Sequence, residues 1–211
     1  MNYGKWMLVL ALGTAGSAQA AGIGVKAGTT GVGVDLGWGI APTLGGRVGI
    51  AGMNFTAADI DTNNVHYESK AKLGNANLLL DWSPLGPFRL SGGFIANNNK
   101  LDLTGTPTSG TAPIPAGSNL SGTVKPDRSF APYLGVGYGN VWTKGINFYF
   151  DLGVMFQGTP QVSLSLNCGT SNPAQCAAAQ SQVEAERQRV QDKVDKYKLF
   201  PVGSVGITIG F

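Results

Sequence analysis

The chain has 211 residues, 15 of them Lys or Arg and 12 Asp or Glu, for a formal net charge of +3. Charged residues make up 13% and 32 residues are glycine, about half the usual charge and roughly twice the usual ~7% of glycine. Low net charge with 43% hydrophobic residues excludes a disordered chain. The glycines follow no three-residue period, which excludes collagen, and the charge balance points to no nucleic-acid partner.

Residues 1–20, MNYGKWMLVLALGTAGSAQA, join Lys5 to an apolar run from Trp6 to Leu12 and a small-residue end at Ala18-Gln19-Ala20. That pattern predicts a cleaved secretory signal peptide and a mature domain over 21–211. The apolar run is too short for a spanning helix, and no later stretch reaches the ~18 apolar residues one needs. A barrel strand needs only ~9–11 residues of alternating polarity.

Such alternation begins at once. Ile23, Val25 and Ala27 are apolar at odd positions, then Val32, Val34, Leu36, Trp38 and Ile40 at even ones. Since strand side chains alternate strictly, a turn must lie between. A two-residue turn at Thr30-Gly31 would set Ile23 against Trp38, Val25 against Leu36 and Lys26 against Asp35, with the apolar residues on one face. The pattern recurs at Val48 and Ile50, at Ala76, Leu78, Leu80 and Trp82, at Phe88, Leu90 and Phe94, and at Leu134, Val136 and Tyr138. It returns in Phe148, Phe150, Leu152, Val154 and Phe156. After these, residues 169–198 change character: Asn172 can cap, Pro173 suits the first helical position, and a glycine-free, charged run follows with a narrow stripe of Val183, Val190, Val194 and Tyr197. The last strand carries Val205, Ile207, Ile209 and Phe211. The expectation is all-β: eight antiparallel transmembrane strands closed into a barrel, with one helix in the last outer loop.

Short connections at Pro42-Thr43, Ser83 to Pro87 and Thr143 to Gly145 alternate with longer ones around 59–65, 105–119 and 168–198. In outer-membrane barrels short turns face the periplasm and long loops face outward, which puts the helix outside the cell. At ~10–12 Å across, it is too wide for an eight-stranded interior, which side chains fill. Its stripe is expected to pack on a hairpin of residues 97–104 and 119–124. Cys168 and Cys176, the only cysteines, are expected to form a disulfide in an exported protein.

The polar face distinguishes a membrane barrel from a soluble sandwich, because it holds mostly Gly, Ser and Asn, while the apolar face is large and aromatic. Its strand-borne charges, Lys26, Arg47 and Arg89 with Asp35, Asp81 and Asp151, balance and should pair in a lumen of low dielectric. Trp38, Trp82 and Trp142 each sit near a short turn, where membrane-interface aromatics collect. Order and pattern over the mature chain, in the segments KAGTTGVGVDLGWGI, LLLDWSP, FRLSGGF, APYLGVGYGN and GSVGITIGF, resemble the small eight-stranded outer-membrane barrels of Gram-negative bacteria, of the OmpA-membrane-domain and OmpX type. They are also similar to a group of proteobacterial surface barrels. The resemblance implies a bacterial outer-membrane location and implies that Val205, Ile207, Ile209 and Phe211 form the signal read by the barrel-insertion machinery.

No catalytic constellation stands out. His66 is the sole histidine; a base needs a nucleophile beside it, and Ser69 falls on the opposite strand face. There is no P-loop, HExxH or calcium loop. We therefore expect no enzyme, cofactor or metal. Two functions remain: a monomeric anchor in outer-membrane lipid and lipopolysaccharide, presenting its loops and helix to an extracellular partner, or a small channel for minor solutes.

Overall fold

The structure, a computed structural model, describes residues 19–61, 65–107, 118–169 and 172–211. The expected leader falls on residues 1–18, outside the described residues, and on the first two residues of the first strand. The strands are β1 (Gln19–Gly28), β2 (Gly31–Ala41), β3 (Leu44–Asp61), β4 (Val65–Leu85), β5 (Phe88–Asn97), β6 (Lys100–Pro107), β7 (Asn119–Lys125), β8 (Phe130–Tyr138), β9 (Gly145–Met155), β10 (Gln161–Asn167) and β11 (Phe200–Gly210), with helix α1 (Pro173–Val194) before the last. Eight of them, β1-β2-β3-β4-β5-β8-β9-β11, close into an antiparallel ring. The seam is the β11–β1 pairing, and Ala21 and Phe211 exchange backbone hydrogen bonds at 3.1 and 2.8 Å.

Period-two alternation decides the two faces of this ring. Apolar residues including Ile23, Val34, Leu78, Phe94, Leu134, Phe148 and Ile207 point outward and are exposed. Together they make an apolar surface far larger than the few hundred Å² a water-soluble monomer shows. A closed ring has no free strand edge at that level, which is the condition for backbone to cross hydrocarbon.

The first hairpin has a different register from the expected one. Gly28 pairs with Gly31, so Thr29-Thr30 is the turn, and Ile23 faces Leu36, Val25 faces Val34 and Lys26 faces Gly33. Gly31 opens β2 at φ +102°, a conformation open to glycine at little cost. A shift of two residues keeps every side chain on its face, so Lys26 still reaches Asp35, now diagonally.

Three further strands lie beyond the ring. β3 and β4 have 18 and 21 residues, well beyond the ~9–11 a crossing needs, and their excess rises past the long-loop end. There β6, β7 and β10 add to the upper part of β4 in the order β4-β6-β7-β10. β10 comes from the loop between β9 and β11, so it stitches that loop to the β6–β7 hairpin.

The helix starts as its sequence indicates. Asn172 Oδ1 accepts from the backbone N–H groups of Ala174 and Gln175, and Pro173 opens the first turn. It lies against β10 rather than directly on the β6–β7 hairpin, because β10 stands between them at the sheet edge. Ala179 and Val183 are buried there, while Tyr197 is exposed. Gln191 closes the edge: its Oε1 accepts from Val162 N–H at 3.0 Å and its amide donates to the Pro160 carbonyl at 2.7 Å, capping a strand that would otherwise offer free backbone groups.

Candidate functional site

The lumen is filled in layers. At its centre, six strands of the ring each contribute one charge: Lys26 on β1, Asp35 on β2, Arg47 on β3, Asp81 on β4, Arg89 on β5 and Asp151 on β9. The structure brings all six together. Arg47 grips Asp151 with Nη1 at 2.7 Å and Nη2 at 3.2 Å, and its Nε stands 3.0 Å from Asp81 Oδ2. Arg89 Nη2 donates at 2.6 Å to Asp151 Oδ1, the oxygen that Arg47 Nη2 also reaches, and its Nη1 donates to the Gly139 carbonyl. Lys26 Nζ donates to Asp35 at 2.7 Å and to Asn77 at 3.0 Å. Ser91 Oγ donates to Asp81. Both arginines are about 1% exposed and Asp35 and Asp81 are fully buried, so these four charges depend on their partners far more than on water.

Sequence reasoning about charges overlooked Tyr149. Both guanidinium groups stand against its ring, each 5.9 Å from the ring centre, and its hydroxyl donates to Asp35 Oδ2 at 2.9 Å. The signal was its position between Phe148 and Phe150, which puts a large side chain on the lumen face. Two glycines make the room: a Cβ at Gly206 would strike the Tyr149 ring, and one at Gly137 would stand 2.9 Å from both Arg89 Nη2 and Asp151 Oδ1.

Toward the long-loop end the filling turns apolar, with Leu79, Ile95, Ala131, Tyr133, Met155 and Val202 packed together. Between this cluster and the charges a cavity of about 30 Å³ remains, room for a couple of water molecules.

Trp142 departs from its expected place. Trp38 and Trp82 are exposed on the outer face near short turns, but Trp142 is 8% exposed and Val141 fully buried. The β8–β9 link does not simply turn. It folds under the ring, held by Thr208 Oγ1 donating to the Val141 carbonyl at 2.8 Å and by Ser83 Oγ bonding Asn140 Oδ1 at 2.9 Å. Trp142 thereby fills the short-turn mouth, where a Cβ at Gly45 would run into its ring.

The remaining expected residues lie elsewhere. Val205, Ile207, Ile209 and Phe211 form an exposed outward stripe on and just beyond β11. His66 has its backbone in β4 opposite Asp61, and its side chain lies outside the described residues. Among the described residues no cluster of His, Cys, Asp and Glu suits a metal ion.

Cys168 and Cys176 form a disulfide with Cα atoms 5.9 Å apart. A loop this short is worth roughly 2–3 kcal/mol in the chain-entropy model, and it ties the helix start to the end of β10. Replacing both cysteines by serine is expected to speed protease cleavage within 172–194 severalfold while leaving the thermal midpoint of the ring unchanged. Equal cleavage in the two forms would show that Ala179, Val183 and Gln191 hold the helix unaided.

No protein-family model and no curated protein matches the chain. Among solved structures, CarO2 of Acinetobacter baumannii superposes with a TM-score of 0.63 at 24% identity, covering 93% of this chain and 100% of that one. CarO of the same organism gives 0.61 at 24%, covering 90% and 97%. The shared fold is an outer-membrane β-barrel.

Proposed function

We propose that the protein is a sealed outer-membrane barrel whose role is to hold an extracellular platform, with the short-turn end toward the periplasm. The observation that carries this reading is the filled lumen: Trp142 in one mouth, the six-charge layer with Tyr149 at the centre, and the apolar cluster above. A permeant solute would have to displace paired, buried charges for which the adjoining cavity has room for only a couple of water molecules, and that costs several kcal/mol. The platform is the raised sheet of β3, β4, β6, β7 and β10 with α1. Between α1 and the sheet lies a cleft of about 330 Å³ with Leu120, Leu164 and Val183 in its floor and Glu186 and Arg189 at its rim, suited to an apolar group with a polar end.

Refolded protein in a planar bilayer is expected to give no steady conductance. Stable single-channel openings would overturn the anchor reading in favour of a channel for small solutes. With the bilayer silent, deletion of 169–198 is expected to abolish binding of intact cells to extracellular ligands while leaving the ring assembled.

A further inference from the structure

The outward face of the raised sheet changes from apolar to basic just above the apolar band. Along β4 the outward positions run from Trp82, Leu80 and Leu78 through Ala76 and Gly74 to Lys72. Lys72 pairs directly with Lys100 of β6. On β7, Val124 pairs with Leu101, so alternation puts the neighbouring Lys125 beside Lys100 on the same face. Three lysines therefore lie in one transverse row across three strands, and exposed Phe94 and Phe130 belong to the apolar face below it.

Like charges directly opposed across strands repel, and this row has little to offset it. Lys72 and Lys100 converge on a single carboxylate oxygen, Asp102 Oδ2, at 3.0 and 3.6 Å. Its other oxygen accepts from Thr123 at 3.2 Å. Their hydrogen bonds and charge hold the Asp102 carboxyl below its usual pKa. Lys72, Lys100 and Lys125 against Asp102 leave two positive charges in excess, and the two bridged lysine side chains are 45% and 46% exposed.

We propose that this row is a binding site for the phosphorylated headgroup of an outer-leaflet glycolipid. Two features on one surface select that ligand: lysine ammonium groups that match phosphate oxygens, and continuous apolar strand face beneath them for the acyl chains. A free anion would use only the first, and a protein partner would not require the lysines to sit at the hydrocarbon boundary. The inference rests on the outer-membrane reading with the raised sheet outside the cell.

The test is native mass spectrometry of full-length protein refolded into phosphatidylcholine vesicles and extracted with diphosphorylated lipid A or its dephosphorylated form. Wild type is expected to retain the diphosphorylated lipid selectively. K72Q/K100Q/K125Q is expected to lose that retention on the order of a hundredfold, from about fivefold per lysine near an anionic surface. Equal retention of the two lipids, equal retention by the triple variant, or full displacement by millimolar inorganic phosphate would each overturn the proposal. Insertion into the vesicles, read as protection of the ring from protease, is scored separately. Failure there removes the membrane reading itself, whereas insertion without selectivity removes only the lysine site.

Discussion

Asp151→Asn is expected to lower the folding stability of the barrel by about 3–5 kcal/mol, the cost of leaving a buried charge without its counterion. Asp151 is the shared acceptor of Arg47 and Arg89, so its neutralisation leaves Lys26, Arg47 and Arg89 facing only Asp35 and Asp81. Asparagine fills the same space, which removes cavity formation as a competing cause. Its amide also turns a donor toward one guanidinium. Adding Arg89→Met restores charge balance, so the double variant should be less destabilised than the sum of the two single changes, with a coupling of roughly 1–3 kcal/mol. Urea unfolding in phosphatidylcholine vesicles gives these numbers. A loss below about 1 kcal/mol for Asp151→Asn, the range of a solvated pair, would mean that water reaches the layer and that the lumen is not sealed by charge.

The parts of this fold that strand alternation governs were legible in the sequence, and the parts that chain reversals govern were not. All eight ring strands and their outward faces follow from period two, because a slip by one residue would put Val34 and Leu36 into the lumen with Asp35 outside. A slip by two costs nothing in that pattern, so alternation alone does not separate a turn at Thr29-Thr30 from one at Thr30-Gly31. Its deciding feature, positive φ at Gly31, carries no periodic signal. β10 was legible in principle, since Val162, Leu164 and Leu166 alternate with serines. Pro160 breaks it from β9, however, and only pairing with β7 turns a strand-like run into a separate element. The central site was legible through its formal charges, while Tyr149 and Tyr133 stood at lumen positions whose importance a count of charges does not register. No sequence pattern marks the lysine row, because its members, Lys72, Lys100 and Lys125, belong to three strands that become neighbours only through long-range pairing.

Trp142 shows how far a side-chain preference can mislead, and it also gives the sharper test of the layered lumen. A tryptophan beside a short turn suits the membrane interface, yet here the link carries it inward, where it packs over Gly45 and beside Val141. Trp142→Ala should cost up to about 3–5 kcal/mol, as for other buried tryptophans. It should nonetheless leave a planar bilayer silent, because the layer of Arg47, Arg89, Asp81 and Asp151 still closes the ring above it. The change should appear as access from one side. Thr208 is fully buried behind the plug, and Ser204 pairs with Asp151 in the charge layer itself and lines the small cavity beside it. In Trp142→Ala, a cysteine at 208 should react readily with a membrane-impermeant maleimide supplied from the short-turn side, whereas one at 204 should stay unreactive to it. The native cysteines are held in their disulfide and do not interfere. Equal labelling at both positions would mean that Trp142 alone had sealed the barrel and that the paired charges form no barrier of their own.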